Sequence, residues 1–295
     1  MLRWRIGEVT VTRVVEMEMP VPYNPRRAFL REATPEALAA IPWLAPHYVT
    51  PEGHLRLSIH ALLVEAPGLR LVVDTCIGND RPRSLVGGQA LSTGFLEAFE
   101  STGWTRDSVD TVVCTHLHVD HVGWNTMREG DRWVPTFPKA RYLIGRREYD
   151  HWSAEGDDEQ QAILSDSIRP VFEAGLVDFV EMDHVISPEV RLVPTPGHTP
   201  GHVSVRIESA GETGLITGDM VHHPCQMAHP EWSPPFDSDP VASASMRRGV
   251  FEGVAEQPVL VIGTHFAAPT AGLVRRDGDA FRFEGAPSET PDRLA

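Results

Sequence analysis

The feature that constrains this chain most is a run of six residues, His116-Leu-His118-Val-Asp120-His121. Four metal-binding side chains fall together directly after the apolar segment Thr111-Val-Val-Cys114, which reads as a buried strand. In extended backbone, side chains two apart point the same way, so His116 and His118 can face one ion. Asp120 and His121 follow where the chain turns toward Gly123, within reach of a second ion. Imidazole suits zinc, iron and related metals, and carboxylate oxygen completes a hydrolytic site. Three later segments repeat this arrangement, each an apolar stretch ending on a ligand-type residue. They are Leu192–His198, Leu215–Asp219 and Leu260–His265, with Gly197, Gly218 and Gly263 letting the backbone come close. Ligands carried at the ends of several strands are how α/β folds build sites.

The rest of the chain reads as strands interleaved with helices. Residues 2–15 alternate as one or two strands, and residues 20–53 are Pro-rich and irregular, with a helical piece near Pro35–Ala40. His54–Glu65 and Leu69–Asp74 read as strands around Ala66-Pro67-Gly68. Arg141–Ile144, Arg191–Val193, His202–Glu208, Gly214–Thr217 and Val259–Ile262 are further strands, and Gly272–Glu284 a hairpin about Asp277-Gly278. Helices are predicted over Gly94–Ser101, Arg146–Ala154 and Glu159–Ala174. Another runs from the Asp239-Pro240 cap to about Glu256, with Val241, Ala244, Val250 and Val254 inward. This interleaving predicts one layered α/β domain over residues 1–295.

Charge narrows the partners. Against 41 Asp and Glu stand 26 Lys and Arg, only Lys139 being lysine, for a net charge of −15 with no basic run. That disfavours nucleic acid and anionic membrane and leaves a small-molecule substrate. No apolar run is long enough to span a bilayer, and the amino-terminal stretch lacks an apolar signal core, so a cytoplasmic protein is expected, with a homodimer left open. Cys76, Cys114 and Cys225 form no disulfide framework and fit a reducing compartment.

His116–His121 with His198, Asp219 and His265 resembles the metallo-β-lactamase-fold superfamily, from Val72-Val-Asp74 through Gly263-Thr-His265. The resemblance implies a four-layer αββα sandwich with the metal site at the sheet edge. It places His116, His118 and His198 on one ion, Asp120, His121 and His265 on a second, and Asp219 between them. Asp74 matches a strand-end support residue. Asp219 stands where one β-lactamase class has cysteine, so Cys114 and Cys225 are not expected ligands. His118 replaces the Glu of the redox branch, which favours hydrolysis.

The segments Gly218–Pro230, Asp237–Arg247 and Gly263–Pro269 look similar to the branch of methyl parathion hydrolase, N-acyl-homoserine lactonases and pyridoxolactonase. Two positions depart from it: His222 replaces a lactonase tyrosine, and Trp124 replaces a glycine after the motif. His222 is taken as an active-site group beside Asp120, with His223 and His229 weaker candidates. Phe29, Trp43, Tyr48, Trp232 and Phe236 are candidate pocket walls, with ordinary packing the competing role for each.

The implied chemistry is hydrolysis of a small lactone, ester or phosphoester by a hydroxide bridging two divalent ions, zinc first among them, oriented by Asp120. No serine stands in a nucleophile elbow. A glyoxalase II-type thioester hydrolase would share the ligands but need a basic patch for glutathione. A persulfide dioxygenase type would use one iron on His116, His198 and Asp219. A non-catalytic binding module fits poorly with an intact ligand set.

Overall fold

The computed structural model describes residues 1–289, so the last six residues of the predicted 1–295 domain lie outside the described residues. Two large sheets form, and each keeps its strands in chain order. The first has seven: Arg3–Ile6, Val9–Val21, Leu55–Ala66, Leu69–Val73, Thr111–Cys114, Arg141–Gly145 and Val177–Val180. Its early strands pair antiparallel; from Leu69–Val73 onward the pairing is parallel. The second has six: Val190–Pro194, Val203–Ser209, Glu212–Ile216, Val259–Ile262, Ala271–Asp277 and Ala280–Gly285. Only Glu212–Ile216 and Val259–Ile262 run parallel there. Parallel neighbours need crossovers, and the helices supply them.

Three apolar layers hold this together. Val9, Val11, Leu62, Val64 and Val113 of the first sheet meet Val205, Ile207, Ile216 and Ile262 of the second. On the first sheet's outer face, Ala61, Val112 and Tyr142 pack under Phe95, Phe99, Ile163 and Val171 of helical segments. On the second sheet's outer face, Val261, Val274 and Phe283 pack under Phe251 and Val254. The architecture is therefore helix, sheet, sheet, helix, as the sequence predicts.

Several local expectations are corrected. The second strand continues six residues beyond residue 15, to Val21, across a bulge at Glu16. The bulge turns the Glu16 carboxylate to accept from the Ile77 and Gly78 N–H groups and Trp124 Nε1, at 2.8, 3.1 and 2.7 Å. Trp124 thereby ties the metal-motif loop to the sheet. The helix expected over Glu159–Ala174 is Asp158–Ile163 and Arg169–Glu173 joined by a π-helical turn at Leu164–Ile168. Pro170 lacks an N–H and crowds the preceding turn, which widens the helix there. The hairpin Thr126–Glu129/Arg132–Pro135 and the strand Val177–Val180 were not anticipated.

The helix Pro240–Val254 starts as expected, with Asp239 accepting from the Ala242 N–H at 2.9 Å. Val254 is buried as expected and Val250 packs partly on the same core, but Ser243, Arg247 and Phe251 complete the inward face while Val241 is 81% exposed. Arg247 sets that phase. Its buried guanidinium donates to the carbonyls of Met220, Pro230 and Trp232, which turns the first helical turn so that Val241 faces outward. Among the described residues, no helix is long and apolar enough to cross a membrane.

Candidate metal centre

Every residue of the histidine constellation lies just past a strand end, on one rim of the sandwich. His116–His121 follow Thr111–Cys114, His198 follows Val190–Pro194, Asp219 follows Glu212–Ile216 and His265 follows Val259–Ile262. The seven converge. In the first group, His116 Nε2, His118 Nδ1 and His198 Nε2 lie 3.0, 3.2 and 2.9 Å from one another. Tetrahedral zinc–nitrogen bonds put their donors about 3.3 Å apart, so this spacing fits one ion. In the second group, His121 Nε2 and His265 Nε2 are 3.3 Å apart, and each lies 3.6 Å from an Asp120 oxygen.

Asp219 sits between the groups. Its Oδ2 is 3.7 Å from His116 Nε2, 3.5 Å from His198 Nε2 and 3.3 Å from His121 Nε2; its Oδ1 is 3.1 Å from His265 Nε2. Asp219 Oδ1 is buried without a hydrogen-bond partner. A buried carboxylate oxygen left unpaired amid imidazole lone pairs is costly unless a cation joins them. The residues therefore fit divalent ions.

Each ring is turned by what lies behind it. His121 Nδ1 bonds Asp74 Oδ2 at 2.9 Å, and His198 Nδ1 bonds Asp237 Oδ1 at 2.8 Å. His265 Nδ1 donates to the Ser58 carbonyl at 3.0 Å, and His116 Nδ1 meets Thr115 Oγ1 at 3.1 Å. With Nδ1 held as the N–H, the Nε2 lone pair faces the centre. His118 is the exception and offers Nδ1. Asp74, held with φ +58°, also accepts from the Thr115 N–H and Oγ1, linking His121 to the loop of His116.

The loop of Asp219 depends on Gly218, whose φ is +54° and whose missing Cβ would lie 2.5 Å from His202 Nε2. That contact lets His202 accept the Asp219 N–H at 2.7 Å. Burial lowers the His202 imidazole to about 4, so it is neutral and keeps the accepting lone pair. Gly197 plays the matching part before His198: its Cβ would strike Ser243 at 2.5 Å.

Electrostatics separate the two groups. Burial holds His116, His118 and His198 well below the usual imidazole range, hence neutral. Burial would also lower His121 and His265, but Asp219 first, then Asp74 and Asp120 around His121 and Asp120 beside His265, raise both. Burial opposes ionisation of Asp219, and the raised imidazoles of His121 and His265 outweigh it and hold the carboxyl well below the usual range.

His222 joins the cluster. Its Nε2 is 3.2 Å from Asp219 Oδ2, neither ring nitrogen has a hydrogen-bond partner, and its ring lies parallel to His265 at 5.8 Å. Phe29 and Phe236 contact its edges, each at 5.5 Å, and stand 5.3 Å apart as an apolar wall. The other candidates sit elsewhere. His223 bonds the Tyr48 carbonyl at 2.8 Å, and His229 stacks on Trp232 at 4.1 Å. Tyr48, Trp43 and Trp232 pack into the second sheet's outer core. Cys76, Cys114 and Cys225 are free and buried, and none belongs to a group of converging donors.

Sequence reasoning missed Asp237, Ser58, Thr115 and His202. The first lies 39 residues after its partner His198 in a Pro-rich loop where it reads as turn chemistry. Asp74, by contrast, was singled out through the resemblance, and it bonds His121 Nδ1.

Fold and donor set together define a metal-dependent hydrolase. The chain belongs to the metallo-beta-lactamase superfamily, whose profile it matches over residues 55–273. An N-acyl homoserine lactonase from Bacillus sp is 26% identical over 233 residues, 73% of this chain and 84% of that protein. One from Bacillus cereus is 27% identical, over 57% of this chain and 65% of that protein. Among solved structures, the hydrolase AbOPH of the beta lactamase superfamily has a TM-score of 0.79 at 22% identity, covering 99% of this chain and 98% of that one. The dizinc quorum-quenching lactonase AidC has a TM-score of 0.79 at 17% identity, covering 98% and 97%.

Proposed function

We propose that this chain is a binuclear zinc hydrolase of small lactones and esters, with His116, His118 and His198 holding one ion, Asp120, His121 and His265 the other, and Asp219 bridging. The observation that carries the reading is the Asp219 carboxylate, which turns one oxygen toward His116, His198 and His121 and the other toward His265. Nitrogen-rich donors with two carboxylates suit zinc. When bound, the ions supply Lewis acidity toward the substrate oxygen and a water activated near neutral pH.

The chain's own groups do the positioning. Asp120 is 17% exposed and, with His118, one of the two ligand side chains that are not fully buried, where it can accept a hydrogen bond from the attacking water. His222, whose buried Nε2 stands 3.2 Å from Asp219 Oδ2 with no hydrogen-bond partner, is proposed to contact a substrate or leaving-group oxygen bound at the centre. Phe29 and the 44% exposed Phe236 offer apolar surface beside His222 to a small organic ligand. Lactones stand first because the relatives above bear that name; phosphoesters remain within the same chemistry.

The test is a substrate panel on metal-analysed protein: a homoserine lactone, an aryl ester, a phosphotriester and lactoylglutathione. The lactone or ester should lead in kcat/KM. A lead of more than about tenfold for lactoylglutathione, ~1.4 kcal/mol of transition-state discrimination, would replace this reading with the thioester one.

A further inference from the structure

Glu148 has no part in the constellation above, and nothing in the sequence sets it apart from other acidic residues in a first helical turn. It lies in the helix Arg146–Glu155, is 1% exposed, and spends all its accepting capacity on four donors. Oε1 accepts from the Leu117 N–H at 3.2 Å and from Trp152 Nε1 at 2.6 Å. Oε2 accepts from Thr199 Oγ1 at 2.8 Å and from the Gly201 N–H at 2.9 Å. Leu117 stands between His116 and His118, and Thr199 follows His198. One carboxylate therefore ties together the two loops that carry the first group of nitrogens. It also fixes Trp152, whose ring lies 5.2 Å from that of His118. Gly201 makes the approach possible: a Cβ there would come within 2.5 Å of the Glu148 backbone nitrogen. None of these four bonds reaches Asp120, His121 or His265.

We infer that Glu148 is a positioning residue for the first metal ion alone: it sets the mutual spacing of His116, His118 and His198 and so the affinity of that half of the centre. This rests on the ligand assignment proposed above. A buried carboxylate raised by desolvation yet saturated with donors is retained at a cost, and four bonds spanning two loops are what that cost maintains.

The experiment is competition for zinc between the holoprotein and a chromophoric chelator, with thermal melting as the check on folding. Glu148→Gln turns an NH₂ toward two donors, and it should weaken one zinc equivalent about 10–100-fold while leaving the other near wild type. The same shift in a His265→Ala background identifies the affected ion as the first. Thr199→Val, which removes one donor and is compatible with folding even if Glu148→Gln is not, should move the same equivalent in the same direction; Thr199→Ser should restore it. Unchanged zinc affinity in folded Glu148→Gln or Thr199→Val, or equal weakening of both equivalents, overturns the inference. His198→Ala separates the two levels. If it keeps both ions, the ligand assignment itself fails; if it loses the first while Glu148→Gln and Thr199→Val do not, only the role of Glu148 fails.

Discussion

The two halves of the centre share Asp219 and little else. The first is three imidazoles, kept neutral by burial, with donor spacings of 2.9–3.2 Å. The second mixes two imidazoles with Asp120, has spacings of 3.3–3.6 Å, and its imidazoles are raised by the carboxylates around them. A neutral, closely spaced nitrogen trio is ready for a cation without losing protons, because the lone pairs are already free. In the second group the carboxylates of Asp219, Asp74 and Asp120 favour protonated imidazoles, so binding a cation there competes with protons. The two groups thus differ in what surrounds the rings, and the expectation is that the first would hold its ion more tightly than the second.

The largest break in that comparison is to remove what the halves share. Asp219→Ala should cost both ions and lower kcat/KM on the order of a thousandfold, about 4 kcal/mol, more than any single histidine change. Elemental analysis beside the rate checks it; normal metal content would refute the bridging role. Next, His265→Ala should release the second ion and retain the first, whereas His198→Ala should weaken the first. Equilibrium dialysis against graded chelator distinguishes them.

The groups behind the rings sharpen the comparison further. Asp74 serves His121 directly and the loop of His116 through Thr115, while Asp237 serves His198 alone. Asp74→Asn should therefore weaken both equivalents, the second by roughly 10–100-fold, and Asp237→Asn only the first, toward the lower end of that range. The smallest effect is expected from replacing Cys114 and Cys225 together by Ala. Both are buried outside the donor groups, so metal content should be unchanged and the stability loss roughly 1–2 kcal/mol by thermal melting.

What the sequence made legible follows the same division. His116 to His121 sit side by side and follow an apolar strand, so residue type and period alone place them, and strand ends plus glycine place His198, Asp219 and His265. The strands were readable where the apolar pattern is unbroken, as in Thr111–Cys114 and Val259–Ile262. Groups acting from behind were illegible where their residue type has a commoner local role: Asp74 stood out only through the resemblance, while Thr115 and Asp237 did not. Asp237 resembles a turn residue, Glu148 a helix-start acid, and Ser58 acts through its carbonyl, which no side-chain pattern reveals. The helix Pro240–Val254 was legible only in part: the valine periodicity holds at Val254 and Val250 but fails at Val241, because three loop carbonyls needing a donor draw Arg247 inward.

The central claim is that both halves bind at once, on either side of Asp219. Zinc per chain, measured by elemental analysis on protein purified without chelator and then equilibrated with excess zinc, tests it most directly. About two equivalents are expected, one of them removed at far lower chelator concentration than the other. A value that stays near one at saturating zinc would contradict it.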